Sequence, residues 1–182
     1  MSGDRYKIAD QNAVFYLTLT VVDWIDLFTR KEYCYVVCDS LNYCIQQKGL
    51  VVYAYVIMSS HVHLICKVKE PEKMSDVLRD FKKFTSKEFI RLINEIAESR
   101  REWLLDKFAF EAKRIGRAKK YKIWRDDNHA IEIGEYIDIE QKASYIHENP
   151  VNSMLVKNAE DYVFSSAADY ADIKGYVNVT KY

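Results

Sequence analysis

LVVYAYVIMSSHVHLICKV, residues 50–68, is the stretch that decides the fold. Residues 50–58 and 61–68 are two runs dense in β-branched and aromatic side chains, which suit the pleated, half-buried surface of a strand. Only the polar step Ser59-Ser60 separates them, so they are expected to pair as a hairpin. Working outward, NAVFYLTLTVV at 12–22 reads as an earlier strand. From Lys31 to Lys48 the apolar residues recur at three and four, the period of a helix, and Gly49 stands where a helix C-cap needs it. Beyond the hairpin a long helix is expected from Ser75 to Ala97, then a shorter amphipathic segment carrying Trp103, Leu104 and Phe108. Residues 112–122 read as a basic loop, and YKIW and AIEI as short strands. A final helix begins near Asp138, with Gln141 three residues on, close to a capping box. It is expected to stop at Asn149, because Pro150 disfavours helical geometry in the residue before it. Strands and helices thus interleave around a hairpin, which predicts an α+β fold, helices layered on an antiparallel sheet.

The chain has 182 residues, of which 49% are hydrophobic, enough for one compact core and too few for two comfortable domains, so 1–182 is read as a single domain. The opening MSGDRYKIADQ lacks the apolar stretch of a signal peptide, and no later run approaches the roughly 18 residues of a membrane span. A cytoplasmic protein without membrane attachment is expected. Cys34, Cys38, Cys44 and Cys66 form no C-x-x-C pair and read as reduced core thiols rather than zinc ligands.

Charge is balanced, 27 Lys+Arg against 27 Asp+Glu, so its distribution matters more than its sum. Residues 112–125, AKRIGRAKKYKIWR, contain Lys113, Arg114, Arg117, Lys119, Lys120, Lys122 and Arg125 and no acid, with Tyr121 and Trp124 as aromatics able to stack on unpaired bases. A second basic stripe, Arg79, Lys82, Lys83, Lys87 and Arg91, recurs at helical spacing. Together they are candidates for a phosphate track; the alternative is ordinary solvated surface.

Within His61-Val62-His63 the two imidazoles are two residues apart on a strand, so they project from one face while Val62 and Leu64 point to the other. Two neutral imidazoles side by side make two legs of a metal site; the alternative is a pair of surface histidines on an edge strand. Cys66 is at odd spacing from His63 and belongs to the opposite face. In YIHENP at 145–150, Tyr145 and Asn149 are four apart and share a helix face. An asparagine carbonyl with two imidazoles suits magnesium or manganese better than a thiol-seeking metal. Docking that face over the histidine strand would bring a phenol to a metal-held phosphate. Otherwise Tyr145 is one of 14 tyrosines, half-buried on an amphipathic helix. His147 lies on the other side of the helix and reads as structural or surface.

MSSHVHL at 58–64, WRDDNHAI at 124–131 and YIHENPVNSMLVKNAEDYVFSS at 145–166 resemble, in order and spacing, the REP-associated tyrosine transposases, part of the wider single-tyrosine HUH transposases of bacterial insertion sequences, the IS200-like superfamily. The resemblance implies a ferredoxin-like α+β fold with the histidine pair on a central strand. It implies His61 and His63 as metal ligands, Asn149 as the third, Tyr145 as nucleophile, and single-stranded or hairpin DNA, such as REP-like palindromes, as partner. His129 is either a support for the active site or a local cap. Three positions depart from the pattern: Ser59-Ser60 where the family has Pro-Asn, Asn152-Ser153-Met154 in place of Arg-Ala-Gly, and Glu132 in place of arginine. They leave the catalytic set intact and bear on the turn and the DNA contacts.

Three functional readings follow. One is a DNA transposase, that is, a single-strand endonuclease and strand transferase, which forms a 5′-phosphotyrosine. The second is a domesticated hairpin-binding protein that does not cut, and the third a small hydrolase in which the metal activates water. Monomer and homodimer are both compatible with the sequence.

Overall fold

A computed structural model of the chain describes residues 8–116, 120–134 and 138–182. Strands β1 (Phe15–Thr20), β2 (Leu50–Ile57), β3 (His61–Val68) and β4 (Ile131–Glu132) form an antiparallel sheet in the order β2-β3-β1-β4. Helix α1 (Lys31–Gln47) joins β1 to β2; α2 (Met74–Glu95) and α3 (Arg101–Ile115) lie between β3 and β4; α4 (Ile139–Asn152) and the short α5 (Ala167–Tyr170) follow. Because β1 and β2 flank β3, α1 crosses over it. The order of elements is the split β-α-β of a ferredoxin-like fold, with α3 inserted and α4 appended.

The sheet separates two apolar layers. Phe15, Leu17 and Leu19 of β1 and Val62, Leu64 and Cys66 of β3 face the larger core built with α1, α2 and α3. Tyr16, Val56 and Ile65 face the other way and pack against Ala143 and Ile146 of α4. An irregular register between Val52 and Ala54 shifts the phase of β2, so that Leu50 and Val52, then Tyr55 and Ile57, all reach the larger core. The four cysteines are free and buried. The outer edge of β2 is covered rather than left open to other chains: the Ile57 N–H reaches the Phe164 carbonyl (2.9 Å) and the Thr180 N–H the Val52 carbonyl (2.8 Å). Among the described residues no helix is long and apolar enough to cross a membrane.

The hairpin, α1 with Gly49 left-handed behind it (φ 63°), and the long α2 agree with the sequence reading to within about two residues. Three expectations are corrected. Residues 112–115 continue α3 instead of starting a loop: Phe108 and Ala112 bury one stripe, Arg114 pairs with Glu111, and the left-handed Gly116 closes the helix by donating to the Ala112 carbonyl. YKIW forms no strand of its own; it runs beside the end of β1 through a bridge between Val21 and Trp124. Helix α4 does not stop at Asn149 but continues through Pro150 to Asn152. The proline lacks one N–H, yet it is buried, and the next turn still closes with the Ser153 N–H on the Asn149 carbonyl at 3.0 Å. At the other end, Asp138 caps α4 by accepting from the Glu140 N–H.

Candidate active site

β3 is paired on both sides, with Thr18 opposite His63 across β1 and Val56 opposite it across β2. The imidazole pair therefore lies on a central strand, under α4, and not on an edge. His63 is buried, and its Nδ1 stands 2.9 Å from the Tyr16 hydroxyl and 3.0 Å from Thr18 Oγ1. The Nδ1 of His61 is 3.2 Å from Ser60 Oγ. With their inner nitrogens engaged, the two rings turn their Nε2 atoms to one point, 3.1 Å apart. Burial pushes His63 down to about 3, with the His61 and His129 charges adding to it. Burial also lowers His61. Both rings are neutral at pH 7, which leaves nitrogen lone pairs for a cation.

The spacing tests which cation fits. With metal–nitrogen bonds of about 2.1 Å, adjacent donors of an octahedral ion are about 3.0 Å apart and those of a tetrahedral ion about 3.4 Å. The observed 3.1 Å lies where one divalent ion can take both nitrogens. Among the described residues no group of three His, Cys, Asp or Glu is placed to hold a metal ion.

Tyr145 projects from α4 at the edge of this face. It is 52% exposed, so it is not a packed core tyrosine, and its ring stands edge-on to His63 with centroids 5.9 Å apart. Tyr145, His63, Tyr16 and Thr18 line one cavity of about 320 Å³, together with Trp24 and His129. Burial, with the Tyr145 phenol beside it, holds the Tyr16 hydroxyl above the ordinary phenol range. Tyr16 is thereby a protonated partner for His63. Lys142, three residues before Tyr145, sets its ammonium 5.3 Å over the Tyr16 ring. Asn149 is not brought to the imidazoles in the same way: its Nδ2 donates to the Tyr145 carbonyl at 2.6 Å, and Asn149 does not line the cavity. Among the described residues, Oδ1 accepts no hydrogen bond. His129 lines the cavity from a left-handed backbone (φ 39°). His147 is structural, 2.9 Å from Ser166 Oγ and against Tyr170.

The basic residues divide. Arg79, Lys82, Lys83 and Arg125 line an open groove of about 940 Å³ that meets the cavity through Arg125, Asp127 and His129. Lys82 is tied down, donating to the Arg125 carbonyl at 2.7 Å, and burial pushes its ammonium down to about 8. Arg79 is held by Asp76 and Asp80, Arg125 by Asp127 and Arg114 by Glu111. Lys83 and Lys113 are exposed, and Lys120 lies over the Tyr121 ring. Arg117 and Lys119 lie outside the described residues. Trp124 is a correction: it is 3% exposed, packed against Phe28, Phe81 and Phe89, with its indole N–H on Thr85 Oγ1, so no base can reach its ring. An aromatic inside a basic run reads the same in sequence whether it faces solvent or core. The reading of the sequence also missed Tyr16, Thr18 and Ser60 as partners of the imidazoles, though Tyr16 and Thr18 do share one strand face.

Compared with known proteins, residues 27–114 match the family model described as transposase IS200 like. That segment contains both imidazoles and ends before Tyr145. Comparison with curated proteins gives no match. Among solved structures, a REP-associated tyrosine transposase bound to a REP hairpin superposes with a TM-score of 0.60 at 18% identity, covering 94% of this chain and 90% of that one. The chain therefore has the fold of a REP-associated tyrosine transposase and carries, over the segment that holds its imidazole pair, the sequence pattern of the IS200-like transposases.

Proposed function

We propose that the chain, as one domain, is a single-tyrosine DNA endonuclease and strand transferase acting on single-stranded or hairpin DNA. The observation that carries this reading is the meeting of two neutral, convergent imidazoles with an exposed phenol edge-on to one of them. The IS200-like pattern and the fold shared with a hairpin-bound relative support it. His61 and His63 would hold magnesium or manganese, with Asn149 Oδ1 as third donor once its amide leaves the Tyr145 carbonyl. A bound divalent ion supplies Lewis-acid charge to the non-bridging oxygens of the scissile phosphate.

Tyr145 attacks the phosphorus. Its oxygen gains the bond to phosphorus and gives up its proton to solvent, while the bond to the 3′ oxygen breaks and that oxygen takes up a proton from solvent, leaving a 5′-phosphotyrosine and a 3′-hydroxyl. A phenol with a pKa of about 10 is a weak nucleophile at neutral pH, so positive charge must favour the phenolate. Lys142, one turn earlier on α4, sets its ammonium over the neighbouring Tyr16 ring. Because the phosphodiester bond is conserved in the covalent link, another 3′-hydroxyl can displace Tyr145 and join strands without a nucleotide cofactor. The exposed Lys83, Lys113 and Lys120, with the cations of the groove, form the phosphate track.

Labelled hairpin DNA incubated with manganese distinguishes the readings. This one expects a covalent protein–DNA adduct that Tyr145→Phe does not form. Binding without cutting would favour a hairpin-binding protein, and cutting without an adduct a hydrolase.

A further inference from the structure

Between β1 and α1 the backbone makes one strained excursion. Asp23 and Trp24 are both left-handed, with φ of 52° and 55°, a region that a bulky side chain such as Trp seldom adopts. The turn is fixed at both sides: Val22 and Ile25 are buried, the Trp24 N–H donates to the Val21 carbonyl (3.1 Å), and the Ile25 N–H donates to the Val22 carbonyl (3.2 Å). Its effect is to lift a large aromatic ring out of the core, leaving Trp24 56% exposed. The ring does not stand alone. It meets His61 edge-on, with centroids 5.5 Å apart, and lines the same cavity as His63, Tyr145 and Arg125.

We propose that Trp24 is the stacking platform for one unpaired nucleobase beside the scissile phosphate. The inference rests on the function proposed above and adds a subsite to it, whose ligand is a single-stranded nucleotide. An indole presents a broad π-face to which any base can stack, and it needs no hydrogen-bond code to do so. The edge contact with His61 sets that base beside the imidazole pair. A paired base inside the stem has both faces covered by its neighbours and cannot use the platform. Trp24 thus favours cleavage where a hairpin gives way to unpaired strand.

The test uses the full chain carrying Tyr145→Phe, to prevent cutting, and Trp103→Phe, to leave Trp24 and the buried Trp124 as fluorophores, with metal chelated. Two dye-labelled hairpins are titrated, one blunt and one with an unpaired extension, and DNA binding is followed by anisotropy. The extended hairpin should quench the Trp24 emission and the blunt one should not. Trp24→Ala should weaken binding of the extended hairpin by about five- to hundred-fold, the usual effect of removing one base–aromatic stack, while Trp24→Tyr recovers most of it and the blunt hairpin is unaffected. If the extended hairpin binds with Trp24 emission unchanged, or binds Trp24→Ala equally well, the platform is overturned and the proposed function stands. If neither hairpin binds, the proposed function falls and takes the platform with it.

Discussion

The Tyr16 hydroxyl lies 2.9 Å from Nδ1 of His63, so the two nitrogens of that buried ring have separate duties. One is anchored to β1 by Tyr16 and Thr18, and the other faces His61. When Nε2 offers its lone pair outward, Nδ1 carries the proton and donates to these hydroxyls, which hold the ring plane in either tautomer. Removing both anchors, Tyr16→Phe with Thr18→Val, should weaken manganese binding by about 10- to 100-fold, the usual range for such outer partners. Tyr16→Phe alone should do less, since Thr18 remains. Calorimetric titration of manganese reads the effect, and hairpin binding under chelation should be unchanged.

Trp124 should behave as a core residue, not a DNA contact. Trp124→Ala leaves a cavity among Phe28, Phe81 and Phe89 and should lose about 3–5 kcal/mol of stability. Trp124→Phe fills most of that space and loses only the indole bond to Thr85 Oγ1, whose hydroxyl still donates to the Phe81 carbonyl at 2.8 Å, for about 1 kcal/mol. Denaturant unfolding measures both, and Trp124→Phe, folded at low temperature, should bind DNA as the parent does.

The cysteines give a probe of the fold. Burial pushes Cys34, Cys38 and Cys66 up to about 12 and Cys44 up to about 11, from an ordinary thiol value of 9.0. The folded state thus holds protons that the unfolded state gives up. Their contribution to stability is present below about pH 9 and is lost as pH rises toward 12. A thiol-specific disulfide reagent at pH 8 should react with none of the four rapidly in the native protein and with all four in denaturant.

If the exposed lysines form the phosphate track, they should set its salt dependence. Lys83→Ala and Lys113→Ala are each expected to reduce the slope of log K against log salt by about 0.7 for single-stranded DNA. Arg79→Ala should change it less, because Asp76 and Asp80 already neutralise that guanidinium. Binding isotherms at several salt concentrations decide between these residues.

Much of this architecture was legible locally. The hairpin follows from its β-branched and aromatic runs and the Ser59-Ser60 step, and α1 from apolar residues recurring at three and four ahead of Gly49. The faces of His61, His63 and Cys66 follow from the two-residue repeat of a strand. What escaped depends on contacts between distant segments. Lys113 and Arg114 look like loop until the buried Ala112 beside them is seen to continue a helix. Pro150 stays helical because the proline itself is packed into the fold. Tyr16 and Thr18 become partners of His63 only through the β1–β3 register, and nothing in the local sequence announces a left-handed Trp24.

If the proposed chemistry holds, the phenol of Tyr145 becomes bonded to DNA beside the His61–His63 pair. The most direct measurement is peptide mapping by mass spectrometry of the protein after reaction with hairpin DNA and manganese and nuclease trimming of the DNA. A nucleotide phosphate is expected on the peptide containing Tyr145, absent when His63→Ala or a chelator is used. A covalent nucleotide on any other residue, or cleaved DNA with every tyrosine unmodified, would contradict it.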